Sequence, residues 1–336
     1  MTGTSIAQGS HPLVSVVVCT YNQEAFVRET LESIVQQTYP HVEIIVSDDG
    51  SLDATPSIIR EYQAHYPDKL KPVFSAHNTG IPANINRGLR QITGELVAWL
   101  DGDDLMLPNK IERRVRVMQQ HPSSIGCYHD CDVFESETGN SLGSFNFLYN
   151  GLTKLREGAL EYVLKPRYFG IPSATMARAW ALPAHGYDER LKHFSESVFF
   201  MEVFRKGNIV AINEILGRYR RHAHNLTSSA SLRNVSYEYE LLAYAIMEAR
   251  YPEMRDFLQN HRIACMLTEA LWCARNDKRE RANTIIRNVV KNGSVAKGLV
   301  AYLSVNFAGT AIKHMTGNSL FTRSPLIKKL SRFFLR

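Results

Sequence analysis

Two aspartates near the middle of the chain have the spacing of a metal site. Asp101 and Asp103 follow the apolar run 96–100, so in extended backbone their carboxylates project to the same side. Two oxygen donors on one side suit Mg²⁺ or Mn²⁺, with water and phosphate oxygens as the remaining ligands. The alternative is an ordinary turn in which Asp104 caps a helix beginning near Pro108.

A second acidic cluster follows an earlier apolar run. Residues 48–51 read Asp-Asp-Gly-Ser, and a carboxylate there can accept the N3–H of uracil or thymine. Tyr21, which follows the first apolar run, could stack on such a base. The alternatives are a turn in which Ser51 or Asp53 caps the next helix, and a tyrosine that packs against the sheet.

Strands and helices alternate around these clusters, which predicts a parallel sheet with helices on its faces. We predict strands at 14–19, 42–46, 71–74 and 96–100, and helices at 26–37, 54–65 and 82–92. Further along the chain we predict helices at 109–120 and 196–206, strands at 125–134, 209–212 and 216–219, and helices from Val235 onwards. Residues 135–195 show no clear pattern. Ligands bind at the carboxyl ends of such strands, so both acidic clusters should lie at one edge.

Composition and charge divide the chain. Its 336 residues are 44% hydrophobic and 21% charged, which excludes a disordered, collagen-like or coiled-coil protein. The net charge of +6 is uneven, because 251–336 holds 15 Lys and Arg against 5 Asp and Glu. A Ser-rich stretch at 227–231 marks a boundary, so we predict a domain at 12–228 and a basic helical region at 229–336.

The cysteines and apolar stretches indicate the compartment. The five cysteines form no CxxC pair, so we expect reduced thiols. Residues 1–12 resemble no signal peptide, and the apolar stretch 298–312 is too short to span a bilayer. We therefore expect a cytoplasmic protein. Cys127, His129 and Cys131 alternate along a strand, but without a second pair they are a weak zinc candidate.

Six segments, taken in order, resemble family 2 glycosyltransferases of the GT-A fold. They are VSVVVCTYN (14–22), EIIVSDDGSLDAT (43–55), NTGIPANINRG (78–88), GELVAWLDGDDLMLP (94–108), GYDERL (186–191) and YRRHAHN (219–225). The resemblance covers about 12–228 and does not extend to the C-terminal region. It implies an α/β fold with a Rossmann-like, mainly parallel sheet flanked by helices, followed by C-terminal helices.

The resemblance also implies an activity. A metal-dependent, inverting hexosyltransferase would move a sugar from a nucleoside diphosphate sugar, with UDP or dTDP favoured, to a hydroxyl of a glycan or lipid-linked acceptor in bacterial surface polysaccharide synthesis. Asp101 and Asp103 would hold Mg²⁺ or Mn²⁺. The residues implied to contact the nucleotide sugar are Thr20, Tyr21, Asn22, Asp49, Arg87, Asp101, Gly102 and His222.

The general base departs from the pattern of similar proteins. They carry a Glu-Asp pair about a dozen residues before a glycine, and counting back from Gly207 gives Ser195 and Glu196 here. Glu196 is therefore the candidate catalytic base, with one methylene more than the expected aspartate. The alternative is a carboxylate that only stabilises a helix N-terminus.

Parts of the sequence are compatible with other functions and partners. A non-catalytic sugar-nucleotide-binding protein is the main alternative, whereas a dehydrogenase would need a GxGxxG sequence after the first strand. The tail 325–336 could form an amphipathic helix on the inner face of an anionic membrane, or could pack on the protein. We expect no nucleic-acid partner, because no binding motif accompanies the basic charge.

Overall fold

The chain forms two compact units, one ending at Ser229 and one starting at Ala230. The computed structural model describes residues 11–159, 171–223, 225 and 230–291. The tail helix predicted at 325–336 lies outside these residues.

The described part of the first unit contributes nine strands to one sheet. The strands are β1 (Val14–Thr20), β2 (Val42–Asp48), β3 (Leu70–Phe74), β4 (Leu96–Asp101), β5 (Leu105–Met106), β6 (Gly126–Glu135), β7 (Ser141–Ser144), β8 (Thr175–Arg178) and β9 (Ile209–Arg221). Its helices are α1 (Val27–Val35), α2 (Thr55–His65), α3 (Ile81–Leu89), α4 (Lys110–Gln120), α5 (Phe145–Asn150) and α6 (Ser195–Phe204), with 3₁₀ turns at Pro172–Ala174 and Ala179–Ala181.

The sheet is parallel in its first half and mixed in its second. Its order is β3-β2-β1-β4-β8-β6-β9-β5, with β7 paired to β6. Strands β1 to β4 pair in parallel, β8 runs antiparallel between β4 and β6, and β9 runs parallel to β6. The predicted α/β fold with a mainly parallel sheet flanked by helices is confirmed. The prediction of two short strands after residue 208 is wrong, because 209–221 form one strand that pairs along the length of β6.

The core explains why the first four strands were visible in the sequence. Val16 and Val18 on one face and Val17 on the other are all buried, because helices cover both faces of the sheet. Helix α1 contributes Leu31 and Ile34 to this core at helical spacing. The buried strands and their covering helices thus form the support for the loops at the carboxyl edge.

The second unit is helical in its described part. Its helices are α7 (Ala230–Arg250), α8 (Arg255–Arg275) and α9 (Arg279–Lys291), with a 3₁₀ turn at Pro252–Met254. Ile263, Leu267 and Ala270 of α8 share a buried cluster with Ile286 and Val289 of α9. Among the helices described, none is long and apolar enough to cross a membrane.

A buried glutamate ties together the amino ends of three strands. The Glu43 carboxylate accepts hydrogen bonds from the Ser15 hydroxyl (2.5 Å), the Lys71 ammonium (2.6 Å), and the N–H groups of Thr93 (2.6 Å) and Gly94 (3.1 Å). Burial alone would raise the pKa of Glu43, but these donors outweigh it and lower the pKa to about 2. Ionised Glu43 therefore stabilises the edge of the sheet opposite the acidic clusters.

We predict that Glu43→Gln lowers the free energy of unfolding by about 1–3 kcal/mol at pH 7, because buried donors lose a charged acceptor. The native pKa lies below the ordinary value of 4.5, so this contribution is present above pH 4.5 and is lost as the pH falls towards 2. Urea unfolding at several pH values measures it.

The matched control is Glu61→Gln, which removes an exposed carboxylate paired with Arg28 and should change stability little. A Glu43→Gln effect no larger than that of this control at pH 7 would contradict the prediction.

Candidate active site

The two acidic clusters and the end of the first strand meet at the carboxyl edge of the sheet. Cys19 of β1 is in register with Asp101 of β4, and Thr20 with Asp48 of β2. The N–H of Gly102 donates to the Cys19 carbonyl at 2.9 Å. The loops that follow β1, β2 and β4 are therefore neighbours, as expected for the carboxyl ends of parallel strands.

Hydrogen bonds join the loop after β1 to the loop after β2. The Asn22 N–H donates to the Ser51 hydroxyl (2.8 Å), and the Asn22 side chain accepts from the Leu52 N–H (2.9 Å). Asn22 has a left-handed backbone with φ of 50°, a conformation that asparagine tolerates better than most residues. Tyr21 beside it is 40% exposed, so its ring is accessible for stacking.

Asp49 is buried and is paired with Arg87, so two residues from separate motifs form one group. The guanidinium donates to the carboxylate at 2.5 Å, and the N–H groups of Thr79 and Gly80 donate at 3.1 and 2.8 Å. Burial opposes ionisation, but these donors outweigh it and lower the pKa of Asp49. The result is a fixed carboxylate that also orders the segment before α3.

The loop 101–104, called the acidic loop below, packs closely on the loop after β1. Gly102 leaves no room for a Cβ atom, which would collide with the Gln23 side chain and come within 2.9 Å of Thr20. The Thr30 hydroxyl donates to the Gly102 carbonyl at 2.9 Å. Only glycine fits this approach. Two buried oxygens here, Oγ1 of Thr20 and Oε1 of Gln23, have no hydrogen-bond partner among the described residues.

Two carboxylates of the acidic loop, those of Asp101 and Asp104, favour protonation. Burial, together with Asp103 and Glu196, raises the pKa of Asp101 to about 7. Burial and the two other aspartates raise the pKa of Asp104 well above its usual range. Asp104 accepts the Arg220 N–H at 3.0 Å and does not cap α4, whose N-cap residue is Asn109. The capping alternative for Asp104 is therefore wrong.

Strand β9 brings a buried arginine to the acidic loop. The Arg220 guanidinium donates to the Asp103 carbonyl (2.7 Å) and pairs with Glu29 (2.5 Å). It lies over the rings of Phe26 and Phe134. Arg220 is 4% exposed, so it is buried although it lies in the basic motif YRRHAHN.

A fully buried lysine lies beneath the same loop. The Lys110 ammonium donates to the Ser173 carbonyl at 2.6 Å, and the Ser173 hydroxyl accepts the Asp101 N–H at 3.0 Å. Burial and the neighbouring Arg114 lower the pKa of Lys110 to about 7, although Asp104 and Asp101 favour its charged form. Sequence reasoning missed Lys110, because a lysine at the start of an amphipathic helix is usually exposed.

His222 and Glu196 also reach this edge. Nε2 of His222 lies 3.0 Å from Oδ2 of Asp103, and its ring packs 4.4 Å from Phe26. Glu196 is half-buried in the first turn of α6. Burial raises its pKa, and its charge in turn raises the pKa of Asp101. The candidate base therefore interacts with Asp101, one of the two candidate metal ligands.

The donor set of the acidic loop suits a hard cation. Asp101 and Asp103 offer carboxylates, and the amide oxygen of Gln23 packs on Gly102 with no partner among the residues described. Oxygen ligands with water and phosphate completing the shell fit Mg²⁺ or Mn²⁺. Within the described ranges no group of three or more His, Cys, Asp or Glu could hold a metal ion, so these oxygens would form a partial site.

Three further residues were missed as site residues. Gln23 follows the first motif, and Tyr187 lies within GYDERL without an assigned role. Asn86 fixes the backbone of Tyr187, accepting its N–H at 2.7 Å and donating to its carbonyl at 2.9 Å. The signal available in the sequence for Asn86 was a polar residue on the apolar face of a predicted helix, where a polar side chain is buried only if it is hydrogen-bonded.

Comparisons with known sequences agree with the motifs. The model of the family described as Glycosyl transferase family 2 matches residues 15–171. A glycosyltransferase of Nostoc sp. is 30% identical over 261 residues, which are 73% of this chain and 75% of that protein. The putative glycosyltransferase EpsH of Bacillus subtilis is 27% identical over 315 residues, 89% of this chain and 88% of that one.

Solved structures share the fold. TarS 1–349 of S. aureus in complex with UDP-GlcNAc matches with a TM-score of 0.65 at 19% identity, over 87% of this chain and 90% of that one. The mannosyltransferase PcManGT of Pyrobaculum calidifontis, in complex with GDP-Man and Mn²⁺, matches with a TM-score of 0.56 at 18% identity, over 92% and 85%. With its six motifs, its fold and these relatives, the chain belongs to glycosyl transferase family 2.

Proposed function

We propose that the protein is an inverting glycosyltransferase that moves a sugar from a nucleoside diphosphate sugar to a hydroxyl of a glycan or lipid-linked acceptor, in surface polysaccharide synthesis. The observation that carries this proposal is that the end of β1, the Asp49–Arg87 pair and the acidic loop meet at the carboxyl edge of the sheet. Inversion requires a base on the side of the sugar opposite the leaving group, and Glu196 is the candidate for that role.

Binding of the donor would use groups that are already fixed. Asp49, held by Arg87, would accept the N3–H of uracil or thymine, which favours a UDP or dTDP sugar. Tyr21 would stack on the base, and the backbone near Thr20, Asn22 and Gly102 would line the nucleotide. The complexes of TarS with UDP-GlcNAc and UDP, and of PcManGT with GDP-Man, support a nucleotide sugar as donor.

Catalysis would combine the acidic loop with Glu196. Asp101 and Asp103 would hold Mg²⁺ or Mn²⁺, which when bound neutralises charge on the diphosphate leaving group. His222, beside Asp103, would add positive charge when protonated. Glu196 would accept the proton of the acceptor hydroxyl, and the burial that raises its pKa makes it a stronger base. The Mn²⁺ in the PcManGT complex supports this choice of cation.

Other carboxylates near α6 are less suited to act as the base. Asp188 is paired with Arg190 at 2.7 Å, and Glu189 accepts a hydrogen bond from Asn86 at 3.0 Å. A non-catalytic nucleotide-sugar-binding protein remains the second candidate, because Ser195 and Glu196 replace the acidic pair of similar proteins. Donor hydrolysis or transfer, assayed with and without Mn²⁺, separates the two functions.

We predict that Asp103→Asn weakens cation-dependent donor binding and abolishes transfer, because the diphosphate would face the acidic loop with one cation ligand fewer. Calorimetric titration of UDP-, dTDP- and GDP-sugars, with Mn²⁺ and with EDTA, measures the effect. Asp68→Asn, an exposed change near the start of β3, is the control. Full activity of Asp103→Asn, or of the wild type in EDTA, would remove the cation from the mechanism.

We predict that Glu196→Gln keeps donor affinity but lowers turnover by ~10²-fold or more, because the amide cannot accept a proton. Steady-state rates and donor Kd values test this. Glu189→Gln is the matched control and should stay active. Unchanged turnover in Glu196→Gln would reject Glu196 as the base, and a loss in Glu189→Gln alone would transfer the role to Glu189.

We further propose a cytoplasmic enzyme that is peripheral on an anionic membrane through residues 325–336. A helix over these residues would place Leu326, Ile327 and Leu330 on one side and the basic residues on the other, which supports this proposal. The full chain should co-sediment with anionic vesicles and be released by salt, whereas a chain ending at Ser324 should stay in solution. Equal, salt-insensitive recovery of both chains would reject the anchor.

A further inference from the structure

The hydroxyl of Tyr187 is buried without a hydrogen-bond partner among the described residues. Tyr187 is 1% exposed, and its Oη atom contacts neither a donor nor an acceptor there. Such a group loses its hydrogen bonds to water on folding and recovers none, which costs stability. An orphaned hydroxyl at a site edge therefore requires an explanation.

The side chain cannot turn towards solvent to relieve this cost. Asn86 bonds both the N–H and the carbonyl of Tyr187, at 2.7 and 2.9 Å. Gly186 before it has a φ of +70°, and a Cβ there would collide with Asn86. The Tyr187 ring stacks on Phe199, with centroids 4.1 Å apart and planes 19° apart. The hydroxyl is thus held in one place.

That place adjoins both parts of the proposed catalytic machinery. Burial, then Glu196, Asp101 and Cys19, raise the pKa of Tyr187 well above its usual range. The hydroxyl therefore stays protonated. The ring on which Tyr187 stacks, Phe199, lies one turn after Glu196 in α6 and packs edge-on against Trp99 of β4, two residues before Asp101, with ring centroids 5.8 Å apart. In the proposed function the transferred sugar must lie between the base and the diphosphate, which is where these elements converge.

We propose that the Tyr187 hydroxyl hydrogen-bonds the transferred sugar of the donor and contributes to the choice of that sugar. The inference rests on the proposed function. A fixed, neutral O–H group matches a sugar hydroxyl, whereas the neighbouring carboxylates are assigned to the cation and to the acceptor proton. A site built to bond a hydroxyl discriminates strongly against sugars that cannot fill it.

The test is Tyr187→Phe, which removes only the hydroxyl. Titrations in Mn²⁺ would compare each UDP-, dTDP- and GDP-sugar that the wild type binds with the matching nucleoside diphosphate. We expect the Kd of the nucleotide sugar to rise by about tenfold, and the Kd of the nucleoside diphosphate to stay unchanged. Without ligand, the Tm of the variant should equal or exceed that of the wild type, because an unpaired group is removed.

Tyr128→Phe is the matched control. Tyr128 is also buried, but its hydroxyl donates to the Arg156 carbonyl at 2.5 Å and accepts the Arg156 N–H at 2.9 Å. Its loss should lower the Tm and leave both Kd values unchanged. This contrast separates an orphaned hydroxyl from a paired one.

Three results would overturn the proposal for Tyr187. The first is an equal change, or no change, in the two Kd values of Tyr187→Phe. The second is a lower Tm without ligand. The third is a fall in turnover at unchanged donor affinity, which would mean that the hydroxyl acts on Glu196 instead of on the sugar. If the wild type binds nucleoside diphosphates but none of their sugars, the sugar contact alone fails. If it binds neither, the proposed function fails and this inference with it.

Discussion

Repulsion among the carboxylates of the acidic loop is the constraint on which the rest of the site depends. Three aspartates within four residues end a buried strand, where charge is poorly solvated. Lys110 from α4 supplies positive charge beneath the loop, the Arg220 N–H from β9 donates to the Asp104 carboxylate, and Asp101 and Asp104 favour the protonated form. Arg220 and Lys110 both come from the half of the fold in which the sheet contains parallel and antiparallel strands. That half therefore stabilises the acidic loop.

Several polar side chains at the carboxyl edge of the sheet lower the stability of the fold. Thr20, Gln23, Asp104 and Tyr187 each keep a buried polar atom without a partner in the described structure. By contrast, Glu43 at the opposite edge of the sheet is fully bonded. The Glu43 cluster thus serves folding, whereas the unsatisfied groups at the carboxyl edge are available to a ligand.

The first half of the fold and the outline of the site were predictable from sequence, because buried parallel strands give continuous β-branched runs that end in polar residues. The second half was not. Strand β8 has four residues, all buried, which is too short for a periodic signal, and β9 contains register shifts opposite Asp130. Lys110 and Arg220 were missed as site residues for a related reason. Basic residues are ordinarily exposed, and only the folded chain shows which carboxylates they balance.

The distances along the chain between these partners have a consequence for biosynthesis. Asp103 and His222 are 119 positions apart, and Glu29 and Arg220 are 191 apart. A ribosome therefore makes the nucleoside side of the site, from β1 to β4, long before β9 supplies the groups that balance the acidic loop. Since domains consolidate as their long-range contacts become available, the acidic loop is the last part of the site to mature. A nascent chain arrested before β9 would retain Asp49 with Arg87 but would lack the partners of Asp103.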